Sequence, residues 1–208
     1  KVMIIEFSGL PGNGKSTIAR RLVGEKNIQR IRIDNKYELI WYNLLFLIKH
    51  PIKFIVRLIY VFRNSVSFKM FYFKFMNVFL NTNAKFEKAT KYDLALLDQG
   101  FMQSVGSIFE REVTEEEIKK YSKYLLFPDL LIFFEAPYDV LDSRIEKRGH
   151  FTRPFLTAEY LKKWKEVVRT NFVTFKKLFP SLPCKVKIVD ANRDIDEVFL
   201  EITNNLDI

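Results

Sequence analysis

One stretch decides the fold of this 208-residue chain, and it reads Gly9-Leu10-Pro11-Gly12-Asn13-Gly14-Lys15-Ser16-Thr17. It matches the pattern G-x-x-x-x-G-K-[ST] in full, after an apolar run and before a helix-like one. Glycines in this pattern let successive backbone N–H groups turn inward around a phosphate, at the positive end of the following helix. The stretch therefore predicts a phosphate-binding loop, or P-loop, between a buried strand and a helix.

The side chains of this loop predict a site for ATP and Mg²⁺. Lys15 is placed to reach the β- and γ-phosphates, and the Ser16 hydroxyl is placed to bind the metal. The residues that we expect to bind the nucleotide here are Gly9, Gly12, Asn13, Gly14, Lys15, Ser16 and Thr17. Lys15 is also expected to be catalytic, because charge neutralisation at the γ-phosphate supplies most of the catalysis in phosphoryl transfer.

On either side of the loop, short apolar runs alternate with helix-like segments. The expected strands are residues 2–7, 28–33, 94–97, 130–134 and 186–189. The expected helices are residues 15–24, 114–125, 137–148, 157–178 and 194–204, with Thr114 and Glu117 at capping-box spacing. Buried strands that alternate with helices predict an α/β fold, a parallel sheet with helices on both faces.

The composition is that of one globular domain over residues 1–208. Hydrophobic residues make up 48% of the chain, so neither disorder nor a fibrous repeat fits. A single cysteine, Cys184, excludes a disulfide framework and a cysteine-based zinc site, and a reducing cytosol is the expected compartment. The net charge of +9 indicates an anionic partner, and composition leaves open nucleic acid, nucleotide phosphates or an anionic membrane.

Residues 39–80 interrupt the alternation with an apolar helical insertion. They contain 29 apolar residues in 42, and no acid occurs between Glu38 and Glu87. Lys49, Lys53 and Arg57 recur every four residues, which places them on one stripe of a helix. A basic stripe on an apolar helix is typical of a helix lying in a membrane interface, although packing in the core is the alternative. We expect the segment 38–87 to bind the acceptor and to face an anionic membrane.

Four blocks of the chain carry a resemblance. They are the P-loop, Leu96-Leu97-Asp98-Gln99-Gly100-Phe101, the span from Pro128-Asp129-Leu130 to Lys147-Arg148-Gly149, and Ile188-Val189-Asp190-Ala191-Asn192-Arg193 with Ile195, Glu197 and Val198. In this order they resemble the thymidylate-kinase-like branch of the P-loop nucleoside and nucleotide kinases. The resemblance implies a five-stranded parallel sheet, ATP with Mg²⁺ as the phosphoryl donor, and a lid over about residues 144–156.

The same resemblance implies roles for residues outside the P-loop. Arg148 and Arg153 of the lid are expected to act on the transferred phosphoryl group, and Arg144, Asn192 and Arg193 are expected to bind the nucleotide. Asp98 is expected to be catalytic and close to the metal, since it ends the third strand. Asp34, at the end of the second, is expected to take the acceptor's proton, although capping of the next helix is an alternative.

Two departures from the family concern the acceptor. Gln99 stands where the family has an arginine that clamps the acceptor's phosphate, and the segment 39–80 is apolar where a polar region is typical. We therefore expect a kinase for a membrane-borne alcohol of the polyprenol or dolichol type, peripheral on the cytoplasmic face of a membrane. The alternatives are a soluble nucleoside-monophosphate kinase of the thymidylate type and a non-catalytic P-loop regulator; nucleic acid is not an expected partner.

Overall fold

The sheet of this protein is built from parallel strands. The computed structural model describes residues 2–25, 28–148, 157–204 and 206. Within them the strands are β1 (Met3–Gly9), β2 (Gln29–Arg30), β3 (Leu94–Leu97), β4 (Leu130–Glu135) and β5 (Lys185–Asp190). They pair in the order β2-β3-β1-β4-β5, every pair in parallel. The predicted five-stranded parallel sheet is thereby confirmed.

The central position of β1 places the P-loop in the middle of one sheet edge. Ile5 pairs with Leu96 of β3 on one side and with Leu130 of β4 on the other. Because all strands run in the same direction, the segments that follow β1, β3 and β4 all leave from this edge. The carboxyl edge of an open parallel sheet is where ligands bind in α/β proteins.

The helices of the described residues fill the connections. They are α1 (Lys15–Glu25), α2 (Lys36–Lys49), α3 (Pro51–Arg63), α4 (Phe68–Lys74), α5 (Asn81–Ala89), α6 (Phe101–Ser107), α7 (Glu115–Ser122), α8 (Tyr138–Arg148), α9 (Ala158–Lys176) and α10 (Ile195–Asn204). A π-helical turn, Phe75–Leu80, joins α4 to α5. None of the helices seen in the described ranges is both long and apolar enough to cross a membrane.

Side-chain caps fix where several of these helices begin. At α7 the Thr114 hydroxyl and the Glu117 carboxylate each bind the other's backbone N–H, as the capping-box spacing predicts. At α2 the cap is Asn35, whose side-chain oxygen accepts from the N–H groups of Tyr37 and Glu38. Asp34 therefore does not cap this helix.

Apolar side chains of the sheet project alternately to two cores. Ile5 and Leu96 pack with residues of α1 and α10, such as Ile18 and Phe199. Their strand neighbours, among them Leu97, project to the opposite core, which is filled by α2 to α7 and α9. Since a parallel sheet buries both faces, the strands read as continuous apolar runs in the sequence.

The segment between β2 and β3 is helical, as predicted. Its exposed surface, however, carries mainly apolar side chains, where the prediction expected bases. The Lys49 ammonium binds the buried carboxylate of Glu87 at 2.7 Å. The Lys53 ammonium donates to the backbone carbonyls of Lys123 and Leu125, at 3.0 Å each. Lys53 is therefore turned toward the protein, and Lys49, although its side chain is 50% exposed, is ion-paired, so the predicted basic stripe does not lie free at the surface.

Arg57 shows the physical reason for the reversal. Its side chain is 1% exposed, and its guanidinium lies between the rings of Phe79 and Phe101, 5.4 and 4.2 Å from their centroids. It donates to the Asn83 side chain, to the Thr82 hydroxyl and to the Val78 carbonyl. Aromatic faces and carbonyl oxygens stabilise a buried cation without a carboxylate. The bases of α2 and α3 thus join helices to one another.

Candidate functional site

The backbone of the P-loop requires glycine. Gly9, Gly12 and Gly14 have φ angles of 128°, 88° and 78°, in the left-handed region that other residues rarely adopt. A Cβ on Gly9 would lie 2.4 Å from the carbonyl oxygen of Phe134, and one on Gly12 would lie 2.8 Å from that of Leu141. The loop is therefore packed closely against β4 and α8, with its amide groups at the start of α1.

Lys15 is held inside the loop. Its side chain is buried, and its ammonium donates to the carbonyls of Gly9 and Leu10 at 2.8 and 2.9 Å and to the Asn13 side chain at 2.8 Å. Burial, with a smaller contribution from the positive charge of Arg148, lowers the pKa of Lys15 to about 7. A bound phosphate would reverse that effect, because its negative charge favours the protonated amine.

Asn13 anchors the loop to the sheet. Its side-chain N–H donates to the carbonyl of Phe134 at 3.0 Å, while its oxygen accepts from Lys15. One amide thus couples the end of β4 to the position of the lysine. Since the side chain is 2% exposed, we expect Asn13 to support the loop rather than to contact the base of a nucleotide.

Two cavities are lined by Gly12 to Gly14 of the P-loop. The first, of about 380 Å³ and here named the P-loop cavity, is lined on one side by Gly12 to Ser16 and on the other by α4, the π-helical turn and α5. Its second wall presents Phe73, Asn77, Asn81 and Lys85, one residue in every four. Gln99 and Gln103 complete this amide-rich wall, whose charge comes from Lys85.

The second cavity, of about 300 Å³ and here named the arginine cavity, contains the predicted nucleotide-binding arginines. Thr17, Arg144, Arg148 and Arg193 line it together with Gly12 to Gly14. Arg144 donates to the carbonyl of Ala191 at 2.9 Å, which ties α8 to the loop after β5. Arg148 lines both cavities and therefore lies where a phosphate chain would pass between them.

The remaining predicted residues lie around these cavities in different ways. The backbone N–H of Asn192 donates to Asp190 at 2.8 Å, and its side chain is exposed beside the arginine cavity. Asp34 is exposed and accepts from Lys88 at 3.2 Å; it is absent from the described lining of the P-loop cavity. Arg153 and residues 149–156 of the predicted 144–156 lid fall outside the described residues.

Asp98 follows β3 and faces two bases. Its carboxylate pairs with Arg30 of β2 and, at 3.5 Å, with Lys85 of α5. Burial alone would raise the pKa of Asp98, but the charges of Lys85 and Arg30 outweigh burial and hold it below the ordinary value. Asp98 is thus ionised at neutral pH and adjoins the P-loop cavity through Lys85.

The donor groups fit a Mg²⁺ that enters with a nucleotide. Ser16 presents an exposed hydroxyl on the P-loop cavity, and Asp98 is the nearby carboxylate that follows β3. Among the described residues no group of three or more His, Cys, Asp or Glu side chains forms a metal cage. Mg²⁺ in kinases is typically held by one or two protein oxygens together with phosphates, and Ser16 and Asp98 offer protein oxygens of that kind. Ser16 would be the direct ligand, and Asp98 would act beside it.

Glu6 is a functional candidate that the sequence reasoning missed. This carboxyl lies within β1 and is fully buried; its Oε1 accepts from the backbone N–H of Gln103 at 2.9 Å. Gln103 in turn accepts from the N–H of Gly9 at 3.0 Å, so the pair joins the P-loop to the start of α6. Burial raises the pKa of Glu6 to about 8. An acid within a buried apolar strand is the signal that could have identified it.

The amide wall of the P-loop cavity was also missed. Asn77, Asn81 and Lys85 occur at helical spacing in the sequence, within a segment that is otherwise rich in phenylalanine. Polar residues at four-residue intervals on an apolar helix indicate a face that meets either solvent or a polar ligand. The four-residue spacing could therefore have identified this wall, but the many apolar residues between the polar ones made it hard to recognise.

Comparisons with known proteins agree with this geometry. No family model matches the chain. A thymidylate kinase from Mycoplasma capricolum is 28% identical over 101 residues, which cover 49% of this chain and 43% of that protein. The matched region thus spans less than half the length of this curated relative.

Two solved structures of a deoxyadenosine kinase from M. mycoides have the same fold over nearly the whole chain. The one with dCMP and dCDP bound superposes with a TM-score of 0.60 at 20% identity, over 99% of both chains. The one with bound dATP superposes with a TM-score of 0.57 at 19% identity, over 99% of this chain and 100% of that one.

These relatives correct the predicted function. The prediction of a polyprenol-type lipid kinase is wrong, because the similar proteins are a thymidylate kinase and a deoxyadenosine kinase. The inward-facing Lys53 and Arg57 and the ion-paired Lys49 explain the error, since a free basic stripe was a main argument for a lipid surface. The alternative of a nucleoside-monophosphate kinase of the thymidylate type fits these relatives better. The strand order, the P-loop and the superposition on solved structures together show that the chain has the P-loop nucleotide-kinase fold.

Proposed function

We propose that the chain is an ATP-dependent phosphotransferase that transfers the γ-phosphoryl group of ATP to the hydroxyl of a nucleoside. The observation that carries this proposal is the P-loop cavity, in which the phosphate cradle and an amide-rich wall face each other across one space of about 380 Å³. A donor phosphate and an acceptor can therefore meet in one space.

The donor side supports ATP. A triphosphate on the P-loop would meet the N–H groups of Gly12 to Lys15, the Lys15 ammonium and the guanidinium of Arg148. Each presents hydrogen-bond donors or positive charge where charge develops during phosphoryl transfer. The base of the nucleotide would then occupy the arginine cavity, beside Arg144 and Arg193. Mg²⁺, when bound, would supply further neutralisation of the phosphates.

The acceptor side supports a nucleoside rather than a phosphate monoester. Arg30 and Lys85 are both paired with Asp98, and Gln99 at the cavity rim is uncharged. Asn77 and Asn81 offer amide groups, which can match the paired donor and acceptor atoms on the edge of a base. The segment 38–87 supplies this wall in our proposal, and Asp98 serves as the ionised carboxylate on the acceptor side.

A nucleoside monophosphate is the second candidate acceptor. The observation in its favour is the similarity of about half the chain to a thymidylate kinase. On this alternative, Lys85 would have to leave Asp98 in order to bind the acceptor's phosphate. The predicted cytoplasmic location is compatible with both candidates and stays a prediction.

An assay with a panel of acceptors separates the two candidates. The purified chain is supplied with MgATP labelled at the γ-phosphate and with deoxyadenosine, deoxycytidine, thymidine, thymidylate or deoxycytidylate. We expect label in a nucleoside monophosphate and little or none in a diphosphate. Label in the diphosphate alone would favour the second candidate, and no transfer to any acceptor would overturn the proposal.

A substitution at the cavity rim sharpens this assay. Gln99→Arg adds a cation where a monophosphate would need one, and a charge-assisted hydrogen bond contributes about 1.5–3 kcal/mol. The variant should therefore use thymidylate at least about tenfold better, as measured by kcat/KM. Gln99→Met, which removes the amide without adding charge, is the matched control and should show no such gain.

A further inference from the structure

The amide wall of the P-loop cavity follows one stripe of a helical segment. Phe73, Asn77, Asn81 and Lys85 are four residues apart and span α4, the π-helical turn and α5. In a regular α-helix, residues four apart drift by about 40° around the axis at each step, because 3.6 residues complete one turn. Three such steps would carry Lys85 about 120° away from Phe73. A regular α-helix would therefore not present all four side chains to one cavity.

The π-helical turn counteracts this drift. Its backbone hydrogen bonds span five residues, as from the N–H of Asn81 to the carbonyl of Met76, so each turn holds more residues than in an α-helix. Steps of four residues thus stay closer to one side of the helix. Such turns are rare and frequently occur at functional sites. The alignment of the amide wall depends on this turn.

Arg57 of α3 lies behind the turn. Its guanidinium donates to the Val78 carbonyl at 3.3 Å and to the Thr82 hydroxyl at 3.0 Å, and both of these residues line the P-loop cavity. The guanidinium also donates to the side chain of Asn83 and lies over the ring of Phe79. These contacts extend from the π-helical turn into the first turn of α5.

The same guanidinium contacts a second segment of the acceptor side. It lies 4.2 Å from the ring centroid of Phe101, the first residue of α6. Gln99 and Gly100, which precede Phe101, and Gln103, which follows it, line the P-loop cavity. Arg57 therefore lies between the two segments that form the acceptor side.

The burial of Arg57 makes this arrangement specific. Its side chain is 1% exposed, and in the part of the chain that the structure describes no carboxylate forms an ion pair with it. Burying a cation without a counter-charge costs stability, which an apolar side chain of similar length would avoid. The hydrogen bonds of its two terminal nitrogens require Val78, Thr82 and Asn83 to keep their positions. A shifted turn would leave a buried cation with fewer acceptors, so Arg57 disfavours other positions of the turn.

We propose that Arg57 is a positioning residue for the acceptor: by holding the π-helical turn, it aligns the amide wall with the phosphate cradle. The inference rests on the proposed function, because the amide wall is the proposed acceptor surface. Arg57 is absent from the described lining of the cavity, so it acts through the turn and not by contact with the acceptor.

The variant Arg57→Met tests this role with a side chain of similar length and no charge. Loss of the alignment should raise the KM of the acceptor at least about tenfold, since a displacement of about 1 Å at a site can cost about 100-fold in rate. The KM of ATP should stay within about twofold, because the hydrogen bonds of Arg57 go to the acceptor side. A merely structural defect would lower the folded fraction, and with it the rate, without raising one KM alone.

Lys53→Met is the matched control. This base of the same helix donates to the carbonyls of Lys123 and Leu125, which do not belong to the described lining of the cavity. Both KM values should therefore stay within about twofold of those of the natural chain. Equal rises of the two KM values in Arg57→Met, or an unchanged KM for the acceptor, would overturn the proposal.

Amide hydrogen exchange tests the same role without any substrate. The amides of residues 75–83 should exchange at least about tenfold faster in Arg57→Met than in the natural chain, and at the natural rate in Lys53→Met. Unchanged exchange in a folded Arg57→Met would overturn the proposal. If the natural chain phosphorylates no acceptor, the proposed function fails, and the exchange rates alone decide whether Arg57 holds the turn.

Arg57→Lys serves if the methionine variant does not fold. Lysine keeps the charge but lacks the planar fork that reaches several acceptors at once. It should raise the KM of the acceptor at least about threefold and leave that of ATP unchanged. A natural KM for the acceptor in this variant, with natural exchange at residues 75–83, would overturn the proposal.

Discussion

The P-loop and the α2–α3 segment differ in how fully the sequence specifies them. In the P-loop each residue type has one local use: the glycines adopt left-handed angles, Asn13 binds β4 and Lys15 lies among the loop carbonyls. In α2 and α3 the sequence specifies two helices with apolar and basic positions, but the apolar positions outnumber those that one face can bury. The comparison shows that the residues of a motif contact mainly each other and their immediate surroundings. The orientation of an amphipathic helix, in contrast, depends on which distant segments pack against it.

The largest effect expected is at Lys15, on the motif side of this comparison. Lys15→Ala removes the cation that would neutralise the γ-phosphate, so the rate of phosphoryl transfer should fall at least about 1,000-fold with the fold retained. The measurement is kcat/KM with MgATP and the best acceptor, together with circular dichroism. Arg20→Ala, at an exposed base of α1, is the control and should keep nearly full activity. If Lys15→Ala transferred the phosphoryl group at the normal rate, the assignment of the P-loop as the binding site of the ATP phosphates would be wrong.

Arg57 provides the corresponding test on the other side of the comparison. Arg57→Ala leaves a cavity between two aromatic rings and leaves the side-chain oxygen of Asn83 without its donor. The free energy of unfolding should fall by about 2–5 kcal/mol in urea titrations. Arg63→Ala, at an exposed base of the same helix, should change it by less than about 0.5 kcal/mol. Equal effects at both positions would contradict the inward orientation of Arg57.

The third prediction concerns the pH dependence of stability that Glu6, in β1 next to the P-loop, causes. Glu6 has its pKa raised to about 8 by burial, from an ordinary 4.5, so folding takes up a proton between these values. The stability that protonated Glu6 contributes is therefore full below about pH 4.5 and is lost as the pH rises to about 8. Glu6→Gln should flatten the decline in unfolding free energy between pH 5 and pH 8, by on the order of a few kcal/mol.

Urea titrations at both pH values compare this variant with the natural chain. Glu197→Gln, at an exposed carboxylate of α10, is the control and should keep the natural slope. A Glu6→Gln variant with the same slope as the natural chain would show that Glu6 is ionised in the fold.

The sequence predicted the framework well because strands and caps are local features. The predicted third strand, residues 94–97, has the same bounds as β3, and the structure contains the capping box that the spacing of Thr114 and Glu117 indicates. The second strand was predicted too long: β2 keeps only Gln29 and Arg30, since it lies at the sheet edge and pairs with β3 alone. Buried apolar runs reveal central strands better than edge strands, because only central strands are covered on every side.

Contacts between distant segments could not be predicted from the sequence. The pairing of Arg30 with Asp98 joins residues 68 positions apart, and that of Glu6 with Gln103 joins residues 97 apart. The direction in which Arg57 points depends on Phe79 and Phe101, which belong to other helices. Such side chains carry no local signal of their partners. The error about the acceptor followed from this, because a regular spacing of bases was interpreted without knowing which side of the helix was covered.

The chain order of the site has a consequence for how its substrate range can change. The phosphate cradle belongs to the β1–α1 connection, whereas Phe73, Asn77, Asn81 and Lys85 all belong to the single connection between β2 and β3. Selection can therefore alter most of the proposed acceptor wall within one continuous stretch of sequence. Substitutions there leave the residues that grip the donor unchanged, so descendants of one ancestor can diverge in acceptor while keeping the same source of phosphate.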